Sequence, residues 1–178
     1  MKISMYTMTI DTFVPMLRSM SEILDKGAEH ARAKKLDPST LVDARLAPDM
    51  YSLDKQVQLA CDQAKNSTAR LMGLEPPPFE DNEKTLDQLK ARIAATIDYL
   101  KKARAAAFEG AEDREIRIAL PNDLQLEMTA VQFLRDWSLP HFYFHVVTAY
   151  DILRHSGVDI GKRDYLSHVG AAIRPIKK

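Results

Sequence analysis

At 178 residues, 46% of them hydrophobic, the chain is long enough for one domain with a sizeable core. Lysine plus arginine equals aspartate plus glutamate at 25 each; this balance offers no electrostatic footprint for nucleic acid or an anionic membrane and does little to keep copies apart. The one cysteine, Cys61, excludes an internal disulfide, and together with the lack of a signal peptide or a membrane-length apolar run it leads us to expect a cytoplasmic protein.

From Thr9 to Lys35 the apolar residues Phe13, Leu17, Met20, Leu24 and Ala31 recur every three or four positions, which predicts a helix. Pro15 favours a start between Thr9 and Thr12, or a kink if the helix begins earlier. Leu36 to Tyr51 reads as a long connection anchored by Leu41, Leu46, Met50 and Tyr51. Ser52 is a good N-cap for a second helix running to Met72, whose inner face includes Leu53, Val57, Ala60, Cys61 and Ala64. Gln58 sits on the shoulder of that face and Asp62 further out. Glu75-Pro76-Pro77-Pro78 stiffens the next link. Asp81 or Asn82 caps a third helix, Asn82 to Ala103, whose charged residues read as a solvated face.

The period then changes to two. Ile116, Ile118 and Leu120, followed by Leu124, Leu126 and Met128, flank Pro121-Asn122-Asp123, which predicts a β-hairpin over Glu115 to Met128. Thr129 caps a fourth long helix, to His155, with Pro140 kinking it just before His141. The expected fold class is all-α: a single antiparallel four-helix bundle with a small hairpin between the third and fourth helices.

The fourth helix carries the chemistry. His141 and His145 stand four apart, hence on one helix face, in a line with Ser138 and Thr148. Nearly everything around them is apolar, so the line reads as a polar stripe in a core whose members need partners. The helix is apolar on more faces than one core buries, which favours a homodimer.

Several runs of this chain resemble the bacterial family of unknown function DUF1993: ARLAPDM from Ala44, LDKQVQLACDQAK from Leu53, FEGAE from Phe108 and LPHFYFHVVTAYDILRHSGVDIGKRDYL from Leu139. That family is grouped with the DinB/YfiT-like four-helix bundles, many of them metal-dependent enzymes that include thiol transferases. The resemblance implies a histidine on the second helix and an H-x-x-x-H pair on the fourth. The pair matches His141 and His145, while no histidine lies between Ser52 and Met72.

Two readings stay open. In one, zinc or nickel is held by His141, His145 and a third ligand, of which Cys61 is chemically the best; Gln58, Asp62, His30, Asp49 and His168 are the others, and Tyr143, Thr148 and Tyr150 line the pocket. The metal would then serve group transfer to a thiol, or hydrolysis. In the other, no metal binds, and the histidines are structural or contact a small ligand in a non-catalytic, stress-related homodimeric module.

Overall fold

The computed structural model describes residues 3–37, 39–174 and 176. Helix α1 spans Met5–Lys34. It starts earlier than Pro15 implies because Ser4 and Thr7 close a reciprocal capping box, and Pro15 is carried inside it. A short α2, Ser39–Val42, follows. It anchors the connection through buried Leu41 and Val42, whereas Leu46 and Tyr51 lie exposed.

Helix α3, Leu53–Leu71, begins after Ser52 and ends at Gly73, whose φ of +74° suits a glycine. Helix α4 is Leu86–Lys101, and its cap is Thr85 with Gln88 rather than Asp81 or Asn82. The physical reason is Arg92. This residue, expected on a solvated face, is buried, and it draws Asp81 and Glu83 onto the bundle at 3.0 Å each, with Asp62 of α3 at 2.9 Å. Lys65 adds a bond to the Pro77 carbonyl at 2.7 Å and lies over the Phe79 ring. The segment before α4 is thereby strapped to α3.

Strands β1 (Glu115–Leu120) and β2 (Leu124–Thr129) pair antiparallel, with Ile116 opposite Met128 and Arg117 opposite Glu127. Asn122 and Asp123 take the left-handed conformation in the turn. The hairpin lays Ile116 into the core and keeps Arg117 and Glu127 in water.

The fourth long helix comes in three pieces. Helix α5, Ala130–Gln132, is capped by Thr129; a π-helical turn runs from Phe133 to Ser138; α6 is Leu139–His155. Pro140 has no N–H to give, and the ladder widens just before it, with the Leu139 N–H bonding the Leu134 carbonyl five residues back. The short α7 (Lys162–Tyr165) docks on α1 through the Lys26–Asp164 ion pair at 2.5 Å, and a 3-10 helix, Ser167–Ala172, follows it. Helix α3 packs against both α4 and α6, and α1 closes the bundle against α4 and α6. Phe13 of α1 meets Phe142 of α6 at 4.7 Å between ring centres. No helix among the described residues is long and apolar enough to cross a membrane.

Candidate functional site

Helix α6 turns His145 inward against α3, where its Nδ1 lies 2.7 Å from Gln56 Oε1. The proton on that bond follows from Gln56. Its Nε2 donates to the Tyr51 carbonyl at 3.2 Å, and a carbonyl only accepts, so Oε1 is the atom left for the histidine. His145 is therefore the Nδ1–H tautomer. Its Nε2 is a bare lone pair, and it is buried with no hydrogen-bond partner among the described residues.

Burial holds the His145 pKa down to about 4, with the neighbouring His141 adding to the effect. The ring is neutral at ordinary pH. His141 sits one turn earlier, ring centres 4.9 Å apart, half-buried against Trp137, and burial lowers its pKa as well. Phe144 packs edge-on to His145 at 5.3 Å and is 57% exposed; Tyr51, whose backbone holds Gln56, is 61% exposed. Phe144 thus stands beside the pair at the surface.

The polar stripe continues one step along the interface, where Ser138 donates to Ser67 at 2.7 Å and Gln63 donates to Ser67 at 2.9 Å. Thr148 instead bonds back to the Phe144 carbonyl of its own helix at 2.7 Å.

The α3 residues singled out in the sequence face elsewhere. Cys61 is fully buried towards α4, where burial pushes its thiol up to about 12 despite a hydrogen bond to Thr96. Gln58 donates to Glu83 at 2.8 Å. Asp62 is taken by Arg92 and by Lys65 at 3.2 Å. Tyr143 is half-buried, its pKa raised by burial, and packs on Phe142. Tyr150 lies against Tyr165, where the two help line a hollow of about 170 Å³ with Val147, Asp151 and Lys162. His168 bonds Ser19 at 3.2 Å, and His30 lies beside Gly157. The structure thus brings His145 together with His141 on its own helix and with Gln56 of α3, while Cys61, Gln58 and Asp62 are engaged on the α4 side.

Among the described residues, no group of three or more His, Cys, Asp and Glu side chains is placed to hold a metal ion. The donors at the pair are two imidazoles; the neutral Gln56 amide beside His145 is spent on Nδ1 and on the Tyr51 carbonyl. A catalytic zinc takes about three protein ligands, so this set does not fit one.

Gln56 is the residue that sequence reasoning missed. The signal for it was a polar row on α3, Gln56, Gln63 and Ser67, at helical spacing and facing the polar row Ser138 and His145 of α6.

The fold and family are fixed by comparison. A crystal structure of a DinB family member protein from Shewanella denitrificans matches with a TM-score of 0.85 and 39% sequence identity, over 97% of this chain and 94% of that one. None of the curated proteins compared with the chain matches it. The family model described as Domain of unknown function (DUF1993) matches residues 5–166, which takes in all four long helices and the hairpin. On these grounds the chain belongs to the DUF1993 family, built on the DinB-like fold.

Proposed function

We propose that this protein is a metal-free binding module for a small uncharged molecule carrying a hydroxyl, amide or thiol donor, received by His145 Nε2. The observation that carries the reading is that buried, unpartnered lone pair. Leaving such an acceptor unmade costs about 1–3 kcal/mol, which a ligand donor recovers. An imidazole with a pKa of about 4 is a poor proton acceptor at neutral pH. This favours hydrogen bonding over general-base catalysis. Exposed Phe144, edge-on to His145, supplies an apolar wall for the rest of the ligand.

The competing reading is a zinc- or nickel-dependent thiol transferase or hydrolase. The Gln56 bond to Nδ1 supports it, since ligating histidines are commonly oriented that way. That no third His, Cys, Asp or Glu stands at the pair among the described residues counts against it. A metal there would lower the pKa of a bound thiol or water.

The test is a titration of untagged protein with small alcohols, amides and thiols, followed on the His145 imidazole signals. Saturable shifts there, together with a binding heat that is lost in His145→Leu, support the module. Stoichiometric zinc or nickel in the purified protein would replace it with the metal reading. Phe144 and Val147, both exposed on α6, also support self-association through this face. Light scattering that shows a strict monomer at micromolar concentration would contradict the homodimer.

A further inference from the structure

We propose that the hollow between the end of α3 and the start of β1 is a binding site for the phosphate group of a small molecule, gripped by Arg70 and Arg114. The site shares no residue with the histidine pair and does not depend on what that pair binds.

The hollow has a volume of about 240 Å³, and Arg70, Arg114, Arg117, Glu75 and Glu115 all line it. Arg117 is spent, paired with Glu115 at 2.5 Å and with Glu127 at 3.5 Å. That leaves Arg70 and Arg114 against the one carboxylate of Glu75. Arg70 sits half-buried in the last turn of α3, with no ion pair and no side-chain hydrogen bond among the described residues. Burial holds its pKa down, and Glu75 only partly restores it. A cation in that position is short of an anion.

Arg114 is built into the same wall. Its Nη1 closes the end of α3 by donating to the Leu71 carbonyl. Gly73 makes room for it, since a Cβ there would stand 3.2 Å from the guanidinium carbon. The cap uses one corner of the fork. The Nε–Nη2 edge has no hydrogen bond among the described residues, and such an edge pairs side-on with an oxyanion. One fork satisfies the two oxygens of a carboxylate. Two forks without a carboxylate partner match the three terminal oxygens and the near-double charge of a phosphate monoester. A small molecule suits the hollow better than a nucleic acid, because Glu75 flanks it and the chain has no net charge to draw a polyanion.

The experiment is calorimetric titration of untagged protein at low ionic strength with inorganic phosphate, glycerol phosphate and acetate. Wild type, Arg70→Gln and Arg114→Lys are compared. The wild type is expected to take one equivalent of either phosphate and to bind acetate weaker by on the order of 10-fold. Arg70→Gln breaks no bond of the fold and is expected to weaken phosphate by on the order of 10-fold. Arg114→Lys keeps the charge but loses the fork, and a similar loss is expected. No saturable phosphate heat in the wild type overturns the proposal. So does wild-type phosphate affinity in a folded Arg70→Gln, or acetate bound as tightly as phosphate. Should Arg114→Lys fail to fold, Arg70→Gln decides alone.

Discussion

His145 and Gln56, 89 residues apart in sequence, are joined side chain to side chain across the α3–α6 interface at 2.7 Å. The amide is itself held by the Tyr51 carbonyl just before α3 begins, so the bond ties α6 both to α3 and to the chain that enters it. It leaves the other histidine nitrogen buried and free. The chemistry assigned to this protein depends on that asymmetry between the two ring nitrogens.

Removing the amide should destabilise the fold. In Gln56→Leu, Nδ1–H loses its acceptor in a buried place. Urea unfolding is expected to register a loss of about 1–3 kcal/mol. No change in the unfolding midpoint would mean that the pair is solvated in solution.

The pH dependence follows from the depressed histidine. His145 titrates at about 4 in the folded chain, against an ordinary 6.5. The unfolded state therefore binds more protons in that interval. Stability is fully present above pH 6.5 and falls by about 3 kcal/mol as the pH drops towards 4. In His145→Leu this part of the acid slope should be absent. Denaturant unfolding at stepped pH checks both slopes.

Arg92 makes a different prediction. Burial works against its charge, but the hydrogen bond to Glu83 and the charges of Asp62 and Glu83 more than offset that, and its pKa is raised. Arg92→Met leaves Glu83, itself largely buried, without a counter-charge. The cost is expected to be about 3–5 kcal/mol. Amide exchange should also rise across Phe79 to Thr85, the strap that Arg92 holds. Unchanged exchange there would show that Lys65 and the prolines hold the strap without Arg92.

Cys61 should be inert. Its thiol is fully buried and pushed up to about 12. A disulfide reagent at pH 8 is expected to label it only after denaturant is added, because the thiolate is the nucleophile. Rapid labelling of the native protein would contradict the packing between α3 and α4.

Most of the fold was legible in the sequence, because hydrophobic period reports helices and strands directly. The apolar rows of α1, α3 and α4 and the alternation of Ile116 and Ile118 needed no other information. The start of α4 was not legible. Asp81 looks like a cap until Arg92 is known to be buried, and that burial depends on Asp62 from another helix. The widened turn before Pro140 was foreseen only as a kink, since a missing N–H does not say how the ladder repairs itself.

For the site, His141 and His145 stood out by spacing. Gln56 did not, because the apolar row through Leu53, Val57 and Cys61 draws the eye to the face that meets α4. The same helix meets α6 through Gln56 and Ser67. A helix that packs on two neighbours has two buried faces, and the polar one is the harder to see.

The most direct measurement is a long-range proton–nitrogen correlation spectrum of the untagged protein labelled with nitrogen-15 in histidine, at pH 7. The account predicts that His145 carries its proton on Nδ1 and shows a bare Nε2, a pattern that Gln56→Leu should blur into a mixture of tautomers. A wild-type spectrum with the proton on Nε2, or with Nδ1 bearing the lone pair, would contradict it.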